Sequence, residues 1–262
     1  MADEAGAWAV DGLTHAFSSE RAGEAVRVLD GLSLSARPGE FVSLIGPSGC
    51  GKSTVLRVLA GLLVPDSGAA CIAGRSVVGR PGAATMQPQR DTLLPWKRCL
   101  DNALLGAVVA GVPAQRARAD AAMLWDRFGL TGYEHAWPGE LSGGMRQRLA
   151  LLRAFLVPRE VILLDEPLGA LDAITRRDLQ VWLEEVWEED RRSVLLVTHD
   201  VDEAILLSDR VVVLSDRPAH LVADVAVALA RPREAAMVTD QAFAQVRAQV
   251  IEALARGHRS AR

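Results

Sequence analysis

A layered α/β fold around a mostly parallel sheet is predicted by three features of the sequence. Short apolar runs recur: FVSLI (Phe41–Ile45), VILLD (Val161–Asp165), SVLLVT (193–198) and RVVVL (Arg210–Leu214). Unbroken runs of this length fit strands buried on both faces, the habit of parallel sheets. Segments of helical spacing separate them, and a glycine loop joins the first run to the first such segment. Strands alternating with helices give an α/β layer fold.

The first 38 residues contain HAF and VRVLDGLSLSA, which read as short antiparallel strands. VLRVLAGLL (55–63) has helical spacing. From about 91 to 158 the chain is rich in Ala, Leu and Arg, broken at GVP and WPGE, and reads as a helical insertion. In DAITRRDLQVWLEEVWEED (172–190), Leu179, Trp182, Leu183, Val186 and Trp187 fall on one helical face. Residues 233–256 read as one or two amphipathic helices. The expected division is one domain over 7–231 and a helical tail over 232–262.

The 262 residues allow one large domain or a domain with a subdomain. A formal net charge of −4 gives no reason to expect a nucleic-acid partner. Cys50, Cys71 and Cys99 are odd in number and lack metal spacing, which fits a reducing compartment. The N-terminus has no basic region followed by an apolar one, so no secretory signal is expected. No run of about 18 apolar residues occurs, so a membrane partner would be another chain.

GPSGCGKST (46–54) matches G-x-x-x-x-G-K-[ST] between a strand and a helix. Gly46, Pro47, Ser48, Gly49, Cys50 and Gly51 form a loop whose N–H groups can converge on phosphate oxygens. The helix that follows adds its dipole at Lys52, Ser53 and Thr54. Lys52 supplies a point charge for the β- and γ-phosphates, and the Ser53 hydroxyl suits Mg²⁺. Cys50 reads as a small loop residue rather than a reactive thiol.

Asp165 and Glu166 end a buried strand, where ligands bind in open α/β sheets. Asp165 suits Mg²⁺ through a water, and Glu166 suits a base that polarises an attacking water. His199 ends the SVLLVTH run, opens onto the same crevice and reads as a γ-phosphate contact. LSGGMRQR (141–148) is a second phosphate cradle: Ser142 offers a hydroxyl, and Gly143 and Gly144 allow close backbone approach at a helix start. Within one chain, Ser142 would simply cap that helix.

These motifs, in this order over 17–214, resemble the ATP-binding subunit of an ABC transporter. GPSGCGKST looks like its Walker A loop, LSGGMRQR its signature, VILLDEP its Walker B with catalytic glutamate, and LGALD (168–172) its D-loop. The resemblance implies a P-loop NTPase fold: a RecA-like core, an N-terminal antiparallel β subdomain and a helical ABC subdomain at about 91–158. It implies ATP and Mg²⁺ as cofactors, Phe17 stacked on adenine, Gln147 at a ribose, Asp172 at the subunit contact and His199 as the switch histidine. It also implies a Q-loop glutamine acting in catalysis and on the metal. MQPQRDTLLPW offers Gln87 and Gln89; alignment on LLPW favours Gln89, with Pro88 where an aromatic residue is usual. Gly169 stands where many relatives carry serine.

The resemblance further implies a head-to-tail dimer, each signature capping ATP on the other copy's P-loop. Two identical copies are favoured. Transmembrane permease subunits would be direct partners, and a periplasmic or lipid-anchored substrate-binding protein an indirect one. The expected place is the cytoplasmic face of the membrane. RDTLLPWKRCLDNALLG (90–106) and DEPLGALDAITR (165–176) are similar to the nitrate/sulfonate/taurine importer branch, and branches for pyrimidine precursors share such segments. The alternatives are an exporter ATPase and a soluble ABC ATPase outside transport. Soluble types usually carry two cassettes or a long coiled coil, and neither is found in this sequence.

Overall fold

In the computed structural model, which describes residues 6–18, 25–169 and 171–259, the four apolar runs form strands where they are expected. Ala170 of the LGALD segment lies outside the described residues. The N-terminal strands are not short: β1 (Trp8–Ser18) and β2 (Ala25–Ala36) form a long antiparallel pair. Breaks in register between Val10 and Leu13, and again near His15, let that pair twist.

Next come β3 (Phe41–Ile45), α1 (Lys52–Leu59), β4 (Ser67–Ile72), β5 (Arg75–Ser76) and β6 (Thr85–Gln87). The middle of the chain is helical, as expected: α2 (Cys99–Val109), α3 (Ala114–Trp125) and α4 (Gly143–Phe155). Then β7 (Val161–Asp165), α5 (Ala173–Asp190), β8 (Ser193–Val197), α6 (Val201–Leu207), β9 (Arg210–Leu214) and β10 (Leu221–Ala226) alternate toward a single long tail helix, α7 (Gln241–Arg259).

Two sheets result. One is antiparallel, in the order β2-β1-β4-β5. The other runs β10-β9-β3-β8-β7-β6 and is parallel throughout except for the β9–β10 hairpin. Every residue of β3, β7 and β8 is buried, which explains their unbroken apolar runs.

Three apolar clusters hold the layers together. One lies between the antiparallel sheet, α1 and the parallel sheet, and includes Trp8, Leu29 and Leu56. A second joins α2–α5 to the other face, and Leu179, Trp182, Leu183, Val186 and Trp187 are all buried in it. The third holds α6 and α7 against β9 and β10 through Ile205, Phe243 and Val250. Burial on this scale stabilises each large side chain by about 1.5–3 kcal/mol.

The chain between β10 and α7 is pinned by two arginines. Arg231 pairs with Glu184 and Asp209. Arg233 is buried and donates to the carbonyls of Ile205 (2.8 Å) and Ser208 (2.6 Å). Burial pulls the Arg233 guanidinium down to about 10. Among the described residues no helix is long and apolar enough to cross a membrane.

Candidate functional site

Because β3, β7 and β8 are parallel neighbours, their C-terminal ends deliver three motifs to one edge. The glycine loop follows β3, Asp165 and Glu166 end β7, and His199 follows β8. The loop then turns into α1, whose N-terminus points its amides at the same edge. Gly51 sits at φ 122°, and a Cβ there would stand 2.8 Å from the side chains of Val28 and Leu29. Only glycine can hold that corner of the loop against β2.

Lys52 is buried, and its Nζ donates to the carbonyls of Gly46 (2.8 Å) and Pro47 (2.9 Å). Those two bonds fix the ammonium inside the loop's curve. Thr54 is buried behind it, whereas Ser48 and Gly49 are exposed. Cys50 is buried, and burial raises its thiol pKa, as suits a packed loop residue rather than a nucleophile.

The Ser53 hydroxyl donates to Asp165 Oδ1 at 2.9 Å. Burial raises the Asp165 carboxyl pKa and neighbouring Glu166 adds to this, while the Ser53 hydrogen bond opposes them. Two hard oxygens therefore face each other beside the phosphate loop. Mg²⁺ needs few protein oxygens when phosphates and waters complete its shell, so this pair fits that ion.

Glu166 is the junction of the site. Its backbone is held at φ 46°, a left-handed conformation that costs a non-glycine residue about 1–3 kcal/mol. Its N–H donates to the Val197 carbonyl at 2.8 Å, tying the turn to β8. Gln89 Nε2 donates to its Oε2 at 3.2 Å, and His199 Nδ1 lies 3.3 Å from the same oxygen. Thus residues from three separate loops meet on one carboxylate oxygen. Gln87 goes elsewhere: it is buried at the end of β6, bonded to the Pro88 carbonyl. The geometry distinguishes the two glutamines that sequence left open, and brings Gln89 to Glu166.

A cavity of about 300 Å³ lies over the loop, lined by Phe17, Val28, Ser48, Lys52, Glu166 and Arg217, among others. Phe17 is exposed at the end of β1, with its ring 4.6 Å from that of His15, edge to face. It is thus free to stack on a flat ligand. Val28 and Arg217 were missed by sequence reasoning. Neither lies in a motif; pairing of their strands and turns brings them to the cavity.

The LSGGMRQR loop lies outside this cavity; its residues are not among those lining it. Ser142 caps α4, accepting from Met145 N at 3.3 Å, and is exposed together with Gly143. A Cβ on Gly143 would meet little, whereas one on Gly144 would stand 2.6 Å from Thr175 Cγ2. Gly144 is therefore required by the packing of α4 on α5. Arg146 donates to the Leu141 carbonyl at 2.7 Å, which braces the loop. Gln147, expected at a ribose, is buried, and among the described residues its Nε2 has no hydrogen-bond partner. It lies one turn beyond buried Gly144, so the helical repeat carries it inward. Asp172 caps α5, accepting from the N–H groups of Ile174 and Thr175, each at 3.1 Å. The side-chain hydrogen bond from Thr175 and these amides lower its pKa.

The family described as "ABC transporter" matches residues 29–169, more than half of the sequence. The chain belongs to the ABC transporter family. As an ABC ATPase it binds and hydrolyses ATP on a P-loop NTPase fold. An aliphatic sulfonates import ATP-binding protein of Streptomyces avermitilis is 46% identical over 245 residues, covering 94% of this chain and 85% of the relative. A second aliphatic sulfonates import ATP-binding protein, from Rhodococcus jostii, is 51% identical over 206 residues, covering 79% of this chain and 80% of its own. A nitrate import ATP-binding protein of Synechococcus elongatus is 43% identical over 236 residues, covering 87% and 85%. Among solved structures, a dimeric bacterial ABC transporter cassette matches this ABC ATPase with a TM-score of 0.74 at 26% identity, covering 85% of this chain and all of that one.

Proposed function

We propose that this ABC ATPase is the energy-coupling subunit of an importer. ATP closes a dimer of two identical copies, and the closure drives a separate membrane permease that carries nitrate-, sulfonate- or taurine-like substrates. The observation that carries the chemistry is the meeting of Gln89 and His199 on Glu166 beside the Ser53–Asp165 pair. The substrate class is supported by the printed names of the relatives.

On this reading Glu166 orients the attacking water and takes its proton, while Gln89 and His199 hold its carboxylate in place. Lys52 and the loop amides from Ser48 to Thr54 neutralise the phosphates. Ser53, Asp165 and Gln89 would hold Mg²⁺, which supplies charge neutralisation at the phosphates when bound. Phe17 stacks on the base. Ser142 and Gly143 of each copy reach the nucleotide on the other, and Asp172 lies at the subunit contact. ATP then favours the closed dimer because both copies touch it, and hydrolysis removes that preference.

The permease would dock where the helical region, about 91–158, meets the nucleotide core. An apolar groove of about 640 Å³ lies there, lined by Leu62, Met86, Pro88, Leu105 and Val109 among others. Met86 and Pro88 lead into Gln89, so pressure on the groove is transmitted to Glu166 within a few residues. The subunit would sit on the cytoplasmic face of the membrane, with a periplasmic or lipid-anchored binding protein delivering substrate from the other side.

The test is reconstitution with the permease in vesicles. Nitrate, taurine and alkylsulfonates are offered with their binding protein, and uptake is measured with ATP inside. ATP-dependent uptake of one of these anions is expected. Efflux, or ATP turnover indifferent to the permease, would overturn the importer reading in favour of an exporter or a soluble ATPase.

A further inference from the structure

We infer that Arg217 is a second cationic ligand for the phosphate chain of the nucleotide, and that α7 holds it in place. This rests on the reading of the glycine loop as the ATP site. Arg217 lies in the turn between β9 and β10 and lines the same cavity as Ser48, Gly49, Lys52 and Glu166. Its Nη2 is 3.8 Å from where a Cβ on Gly49 would stand, so the guanidinium lies over the crown of the loop. Among the described residues nothing hydrogen-bonds or ion-pairs with it. Lys52, the other cation of this cavity, already spends two of its donors on Gly46 and Pro47.

Charge balance favours an anion at Arg217. The site places two carboxylates, Asp165 and Glu166, beside the polyphosphate it is built for. One lysine and one divalent ion leave that assembly negative. A guanidinium presents a planar fork matched to two phosphate oxygens. The exposed amides of Ser48 and Gly49 are its near neighbours, which puts it at the phosphates; Phe17 serves the base.

The turn is fixed from three directions. The Ala219 N–H donates to Val28 O at 2.8 Å, tying it to the antiparallel sheet. The Ser215 Oγ and His220 Nδ1 lie 2.8 Å apart across its base. From the third side comes the end of α7. The Asp216 N–H reaches Gly257 O at 3.5 Å, and His258 Nδ1 is 3.0 Å from Asp216 Oδ2. A Cβ on Gly257 would stand 3.1 Å from Ser215 Cα, so the helix presses against the turn with its backbone. The tail helix thus ends one residue from Arg217.

The test is equilibrium binding of ATP, ADP and AMP to the purified full chain with Mg²⁺, read by displacement of a fluorescent nucleotide. Arg217→Ala should weaken ATP and ADP about 10-fold or more, the scale of a lost charged hydrogen bond. AMP should change less, Arg217→Lys should recover part of the loss, and Arg217→Glu should bind more weakly still. His258→Ala, with melting temperature unchanged, should weaken ATP about 2- to 5-fold, the scale of an exposed ion pair. Unaltered ATP affinity in Arg217→Ala and Arg217→Glu, with Lys52→Ala weakened, overturns the inference alone. Unaltered affinity in Lys52→Ala as well overturns the glycine-loop reading beneath it. Equal loss for ATP and AMP overturns the phosphate assignment. Unchanged affinity in His258→Ala overturns the part assigned to α7.

Discussion

At the end of β3, the loop 46–54 is surrounded by its own chain. Lys52 and Thr54 are buried, Ser53 faces Asp165, and Gln89 and His199 converge from two other loops on Glu166. At the start of α4 the arrangement is the reverse. Ser142 and Gly143 are exposed, and they lie outside the cavity over the first loop. Both cradles use the same device, small residues at a helix N-terminus, yet among the described residues carboxylates, a glutamine and a histidine gather beside only the first. The difference fits a signature that is not a spare ATP site. On the proposed function it is the outward half of a site whose other half lies on another copy, and perturbing the two loops should fail in different ways.

The largest separation is expected at Glu166. Glu166→Gln should lower ATP turnover about 10²- to 10³-fold while leaving ATP binding intact. Size-exclusion chromatography with ATP should show the variant accumulating as a dimer, and near-normal turnover would remove Glu166 from its proposed role. Lys52→Ala comes next, weakening ATP affinity about 10- to 100-fold through loss of a charged hydrogen-bond donor. That defect should appear in the monomer as well, because Lys52 belongs to the self-contained half.

Ser142→Ala should leave monomer ATP affinity unchanged but lower turnover about 10-fold at concentrations where the dimer forms. A loss of affinity in the monomer would break the contrast between the cradles. The two signature glycines sharpen it further. Gly143→Ala should keep the melting temperature, since its Cβ would meet only Leu171 Cδ2 at 3.9 Å and Arg146 Nη2 at 4.0 Å, yet impair turnover. Gly144→Ala should lower stability by about 1–3 kcal/mol, because its Cβ collides with Thr175. Adding Thr175→Ser should restore the melting temperature.

The smallest effect lies behind His199. The Thr198 hydroxyl donates to Glu203 at 2.8 Å, and burial pushes the Glu203 carboxyl up to about 7 from an ordinary 4.5. The folded state therefore keeps a proton that the unfolded chain releases near 4.5. The stability this contributes is full below about 4.5 and is lost as pH rises through about 7. Glu203→Gln should flatten that decline, with a melting temperature above wild type at pH 8 and close to it at pH 4.5.

Much of this was legible in the sequence because the chemistry is local. GPSGCGKST carries its own loop, helix and charge, and VILLD announces a doubly buried strand by its lack of polar alternation. The 172–190 spacing placed five core residues correctly, since a helix face is a local property. The structure added what depends on long-range pairing. β6 is three residues long, too short for any periodicity, and exists because Thr85–Gln87 pairs with β7. β10 becomes a strand by pairing with β9, and its burial is too patchy to show a period. Gln87 is the last residue of that short strand and is buried, whereas Gln89 lies beyond it and reaches Glu166. For Gln147 the resemblance implies a contact across to a partner's ribose, while the helical repeat from Gly144 turns the side chain inward. Arg217 had no motif to mark it, because its place is set by a turn docked on β2 and α7.

The outward-facing Ser142 and Gly143 have a genetic consequence. Residues that complete a neighbour's site damage the neighbour when they fail. A cell expressing wild-type chain together with an excess of a Ser142 variant would place most of its wild-type chain in mixed pairs, each with one of its two sites spoiled. Lesions at the signature should therefore be dominant over the wild-type allele in uptake. Lesions that unfold the chain should be recessive, because a chain that cannot fold cannot pair.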